Sequence, residues 1–173
     1  MAFQSTVSII QGFGVPGELF TDAPYIVKPY TLVSASAAYN IIGATACTVT
    51  SQGVAEAGSG GDFGFAGIIV DPKDQALFGV GAAPLSPTLV LPNNSQVALC
   101  TMGNIVVTLP AAANIGDYVV YDNTTGALET IAPTDPLPVG TTFANAIVTD
   151  FTVGGIGLGV ITINPTYVIP QLA

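Results

Sequence analysis

Apolar and polar residues alternate along much of this chain in the two-residue rhythm of β-strands, and no stretch sustains the 3.6-residue stripe of an amphipathic helix. The clearest instance is GDYVVYDNTTGALETI, residues 116–131. Residues 118–121 and 127–131 are β-favouring runs, and Asp122-Asn123-Thr124-Thr125-Gly126 between them carries turn chemistry. Asp and Asn side chains bond their own backbone nearby, and Gly126 can take positive φ, so a hairpin is predicted. Val119 and Tyr121 point to one face of its first arm, Tyr118 and Val120 to the other. A strand apolar on both faces must be covered on both, by a second sheet or by a partner.

Elsewhere the pattern is read in chain order. Residues 1–24 form an extended arm: Phe3, Val7 and Ile9 alternate with polar neighbours, then Gly12, Gly14, Pro16 and Gly17 interrupt any regular element. Phe3, Phe13, Leu19 and Phe20 need cover, and two readings stand: an arm that reaches a neighbour, or a first strand and loop lying over its own core. Residues 25–173 form one β-domain. Pro29 marks an edge position, residues 34–38 have room for one helical turn, and TACTVTS (45–51) alternates as a strand. Gly53, Gly58, Gly60 and Gly61 make residues 52–64 a mobile loop. A strand over 65–70, a turn over 71–74 and a returning strand over 76–80 follow. Asn93-Asn94 makes another turn, and residues 97–101 and 104–109 are predicted to pair as a hairpin across Met102-Gly103. Pro133, Pro136 and Pro138 stiffen a link to a last strand pair, 146–152 with 158–163, turned at Gly154, Gly155 and Gly157. In the apolar tail TYVIPQLA, Tyr167 and Ile169 pack on a partner or enter the core. Short strands, Gly/Pro/Asn turns and missing amphipathic helices define an all-β antiparallel sandwich or barrel.

Composition adds one constraint. Half of the 173 residues are hydrophobic and only 8% are charged, against about 25% in ordinary globular domains. So little charge cannot cover the surface, which implies apolar area that meets another protein. Lys28 and Lys73 are the only cations beside eleven carboxylates, for a net charge of −9. Without arginine, and with so few lysines, the chain cannot neutralise phosphates, so nucleic acid is excluded as an expected partner. The first residues lack the basic and long apolar regions of a signal peptide, and no window has the length of a membrane span. Cys47 and Cys100 are therefore read as buried free thiols rather than a disulfide.

The inventory of reactive groups argues against an enzyme. Histidine is absent, which removes Ser-His-Asp and Cys-His arrangements and the commonest zinc ligand. Neither lysine stands in a Ser-x-x-Lys pattern, and tryptophan, the usual sugar-stacking platform, is missing. A pair of carboxylates is the one remaining catalytic route. Gly12-Phe13-Gly14-Val15-Pro16-Gly17 fits the dinucleotide fingerprint, but that motif must open a helix, and Pro16 and Pro24 bracket a segment with no helical stripe. Asp71 and Asp74 around Lys73 lack calcium-loop spacing and read as a solvated turn. No catalytic residue, cofactor or metal is expected.

Several blocks in series carry a resemblance: MAFQSTVSII, FAGIIVDPK with ALFG, LVLPNNSQVAL, GNIVVTLPAAANIGDYVVYDNTTGAL, and ANAIV with GLGVI. Together they resemble the cement, or decoration, proteins of tailed-phage capsids. The resemblance implies a small all-β protein, often jelly-roll-like, made in the host bacterial cytoplasm and bound to the outer capsid surface. There it would hold major capsid protein subunits together, working as a dimer or trimer with no catalytic motif and no membrane contact. Phe3, Phe13, Leu19, Phe20, Tyr167 and Ile169, at the two chain ends, are the candidate interface residues. The alternative is a virion-displayed receptor- or carbohydrate-binding β-module, suggested by the all-β pattern and the loop at 52–64.

Overall fold

The computed structural model describes residues 14–20, 24–58, 63–71 and 90–164. Their strands are β1 (Ile26–Leu32), β2 (Ala46–Val49), β3 (Val54–Ala57), β4 (Phe63–Ile69), β5 (Ser95–Leu109), β6 (Tyr118–Asp122), β7 (Leu128–Ile131), β8 (Thr141–Asp150) and β9 (Gly157–Ile163). One 3-10 turn, Ala37–Tyr39, is capped by Ser36, whose hydroxyl accepts from the Ala38 N–H.

Two units share β5. Its first half pairs with β1 and β4, and the order β1-β3-β2-β4-β5 closes on itself through the β1–β5 pairing into a five-stranded barrel. Directions cannot alternate all the way round a ring of five, so at least one neighbouring pair must run parallel. That pair is β1 and β3, joined at Thr31↔Val54 and Leu32↔Ala55. Pro29 lies beyond this short ladder, where β1 pairs with β5 alone, so its missing N–H costs no bond. The second half of β5 begins a sheet of order β5-β9-β8-β6-β7, antiparallel throughout.

Two cores follow from this arrangement. Leu32, Ile42, Cys47, Val49, Ala55, Ile69, Leu91, Val97 and Leu99 fill the barrel. Ala46, Ile68, Val70 and Cys100 leave the barrel wall and pack with Ile105, Val107, Val119, Tyr121, Val148, Ile161 and Ile163 of the sheet. All four residues of β2 are buried because the strand is covered on both faces, Cys47 and Val49 facing inward and Ala46 facing the sheet.

The hairpin forms where its residues predict it, with Tyr118 opposite Ile131 and Tyr121 opposite Leu128. The strands at 45–51 and 65–70, the turn at Asn93-Asn94 and the pairing of the last two strands also form, and the helical turn occupies 37–39. Two expectations are corrected. Residues 97–109 make no hairpin: β5 runs unbroken through Met102-Gly103. Gly103, at φ 117°, is instead the bend where the strand leaves the barrel for the sheet, and a Cβ there would lie 2.6 Å from Tyr25 Cβ. A strand glycine marks close backbone approach as readily as a turn. Nor is 52–64 a continuous loop, because Val54–Ala57 is β3, with Ala55 and Ala57 buried. Phe3, Phe13, Lys73, Asp74, the expected strand at 76–80, Tyr167 and Ile169 lie outside the described residues.

Candidate interaction surface

Chemistry concentrates little in this fold. At the hairpin turn, Asp122 Oδ1 accepts from the Thr124 and Thr125 N–H groups at 2.9 and 2.7 Å and from the Thr125 hydroxyl at 2.9 Å. These bonds favour the carboxylate and hold the Asp122 pKa below its ordinary value. The cluster orders a turn, and Gly126 completes it at φ 72° with its N–H donating to the Asp122 carbonyl. Both cysteines are free and buried, and burial pushes Cys47 up to about 12 and Cys100 up to about 11, the latter held back by its hydrogen bond to the Met102 carbonyl. Thiols so raised are poor nucleophiles.

Neither of two surface cavities lined by described residues gathers a catalytic set. A mostly apolar groove of about 340 Å³ lies between Tyr39, Ile41, Thr108, Pro110, Leu128 and Ile156, and its one carboxylate is Glu129. A wider hollow of about 640 Å³ at the barrel mouth is lined by Lys28, Tyr30, Thr50, Ser51 and Thr101 and by no acid. No group of three or more potential metal ligands occurs among the described residues.

The apolar surface is organised more clearly. The loops after β5 and after β8 meet at one end of the sheet through a two-bond bridge: Ala113 N–H donates to the Val153 carbonyl at 2.8 Å and Val153 N–H returns to Ala113 at 2.9 Å. Asn114 and Asp117 tie off the first loop, the Asn114 N–H donating to Asp117 Oδ2 at 2.8 Å. Ile115, Phe151 and Ile156 stand 60%, 44% and 83% exposed, and Pro110, Ala111 and Ala112 beside them are exposed too. Neither 110–116 nor 151–157 contains a charged residue. The result is an uncharged apolar lip, continuous at Ile156 with the apolar groove.

Among the candidate interface residues from the sequence, Leu19 and Phe20 are described. Leu19 bridges Ile105 and packs against the core between barrel and sheet, and Phe20 donates its N–H to the Asn104 carbonyl and sets its ring edge-on to Phe151 at 6.5 Å. Both are half-buried on the chain's own β5 edge. The lip went unseen in the sequence. Its one local signal is Ile156, a large apolar side chain set between glycines in Gly154-Gly155-Ile156-Gly157.

Residues 3–164 match the structural cement protein family (E217 gp24/Pam3 gp6). The chain belongs to that family. Its structural role is in the phage capsid, where it associates with capsid proteins as part of the virion. The fold is similar to that of a chain in the capsid of Myoviridae phage XM1, with a TM-score of 0.60 and 14% sequence identity over 96% of this chain and 100% of that one. Among curated proteins, none matches the chain. At such low identity the likeness in structure speaks for the shared fold alone, whereas the family match covers nearly all of this sequence.

Proposed function

We propose that this member of the cement family binds the outer surface of the capsid and fastens neighbouring major capsid subunits to one another, acting as a dimer or trimer. The observation that carries the contact is the uncharged lip of Ile115, Phe151 and Ile156 on a chain of net charge −9. Its burial requires no desolvation of charge, and each large apolar side chain covered contributes about 1.5–3 kcal/mol. Contacts of that size, repeated over a symmetric lattice, add up through avidity. Outward acidity suits a protein that stands outside a shell and away from the packaged nucleic acid.

The test uses shells stripped of the protein and decorated again. Shells carrying the native chain should open at higher temperature than bare shells, and Phe151→Asp with Ile156→Asp should abolish the gain while the isolated variant melts like the native protein. Equal opening of bare and decorated shells would sink the proposal. The alternative of a displayed carbohydrate-binding module has lost part of its support, since four residues of the loop it relied on belong to β3.

A further inference from the structure

The apolar groove beside the lip is a formed socket, and its rim sets the chemistry of what enters it. Its walls come from both units: Tyr39, Ile41 and Ala44 precede β2 on the barrel side, and Thr108, Pro110 and Leu128 belong to the sheet side. Backbone bonds stitch the two together. Leu128 N–H donates to the Ala44 carbonyl at 3.2 Å, Thr108 N–H to the Gly43 carbonyl at 2.8 Å, and Ala46 N–H to the Gly126 carbonyl at 2.8 Å. Two threonines of the lining are already engaged. Thr45 Oγ1 accepts from the Ile41 N–H at 3.1 Å and donates to the Tyr39 carbonyl at 2.5 Å, and the Thr125 hydroxyl donates to Asp122 Oδ1 at 2.9 Å. A preformed pocket of about 340 Å³ with such walls suits a large apolar side chain better than a polar ligand.

Charge decides between occupants. Glu129, exposed on β7, is the one charged residue of the lining. Asp150 stands directly before Phe151 of the lip. Among the described residues the single cation is Lys28, and it lines the barrel mouth instead of the groove. A second copy, at net charge −9, would bring a surface of the same sign against these carboxylates. A partner that carries positive charge beside its apolar side chain meets no such penalty.

We propose that the groove receives a large apolar side chain of the capsid partner, carried beside a lysine or arginine whose cation meets Glu129. This rests on the reading that the lip is the capsid contact, because Ile156 belongs to both lip and groove. The two parts of the contact have separate work. The apolar side chain, desolvated in a pocket, anchors the complex. The rim pair steers the encounter, fixes the register and disfavours an acidic occupant, a second copy included.

The experiment measures co-sedimentation of the full chain with stripped shells over a concentration series, at about 50 mM and about 500 mM salt. Glu129→Gln should bind about fivefold more weakly at the lower salt and like the native chain at the higher, where the rim pair is screened. Ala38→Trp, which fills the groove from an exposed position outside the lip, should bind at least about tenfold more weakly at both. Should that variant fold poorly, Ala127→Phe fills the groove from the opposite wall. Glu56→Gln on the barrel exterior removes the same charge and should bind like the native chain. Native-like binding of the groove-filled variant, or of Glu129→Gln at low salt, would overturn the proposal, as would equal losses for Glu129→Gln and Glu56→Gln. Loss of self-association by Ala38→Trp with shell binding intact would give the groove to a second copy and overturn it too. In each of these cases the lip reading stands if Phe151→Asp with Ile156→Asp still abolishes shell binding, and falls if that double variant binds like the native chain.

Discussion

On the solvent side of the barrel stand Thr31, Gln96 and Glu56, with the Gln96 amide donating to the Thr31 hydroxyl at 3.2 Å. The equivalent positions of the sheet carry Val106, Val120, Phe143, Ile147, Leu158 and Val160, with Tyr118 set edge-on to Phe143 at 6.1 Å. The barrel is complete in itself. Closure removes its strand edges, one face fills with Leu32, Ile69 and Leu99, and the other meets the sheet in part and elsewhere carries Thr31, Gln96 and Glu56 with Pro29 and Val54. The sheet has two apolar faces and only one barrel to pack on. Its outer positions are apolar as well, and its end carries the exposed apolar lip. A small domain that is self-sufficient on one side and under-covered on the other suits a protein that works by attachment.

The contrast can be broken by mutation. Truncating Tyr121, buried between barrel and sheet, to alanine should cost about 3–5 kcal/mol in urea unfolding, whereas Glu56→Ala on the barrel exterior should stay within about 0.5 kcal/mol. Comparable losses would mean that the core between the two units does not hold them together.

Gly103→Val tests the joint itself. With φ at 117° and Tyr25 Cα 2.9 Å from the added Cβ, the valine should cost about 2–3 kcal/mol. If barrel and sheet are one cooperative unit, a single unfolding transition persists at lower urea; two transitions would show that the bend merely tethers them.

Asp122 gives a smaller effect, confined to the hairpin. Its folded-state pKa is depressed, so its contribution is fully present above the ordinary aspartate range near about 4 and is lost as pH falls through the lower folded value. At pH 7, Asp122→Ala should cost about 1 kcal/mol, limited by the solvent exposure of the turn. It should also flatten the decline of Tm in acid relative to the native chain. An unchanged acid profile would remove the turn carboxylate from the account.

The cysteines sharpen the comparison without perturbing it. Cys47 points into the barrel and Cys100 into the core between the units, with thiols raised to about 12 and about 11. Alkylation at pH 8 should therefore await opening of the structure, Cys100 reacting first if the sheet lifts from the barrel before the barrel opens. Simultaneous labelling would indicate a single opening event.

Hairpin, strand and turn were legible wherever the deciding chemistry was local. Asp122 through Gly126 specify their turn in five consecutive residues, and TACTVTS alternates within one strand. The errors fell where one residue admits two local readings. Met102-Gly103 serves equally as a turn or as a bend in a continuous strand, and only the approach of Tyr25 and the change of partners from β1 to β9 choose between them. Val54–Ala57 was hidden among glycines because its stability comes from ladders to β1 and β2 rather than from its own sequence.

The candidate surface was less legible still, because the loops that carry Ile115 and Phe151 meet only through the Ala113↔Val153 bridge, forty residues apart. By itself the sequence determined the all-β class, the hairpin, the shortage of charge and the lack of histidine, arginine and tryptophan, since each follows from residue type and short spacing. Tertiary structure alone decided the rest: a ring of five strands that needs a parallel pair, a strand shared by two units, and a lip assembled from two loops. These depend on which backbone groups pair across long sequence separations, and hydrophobic alternation constrains which face a residue takes without naming the strand beside it.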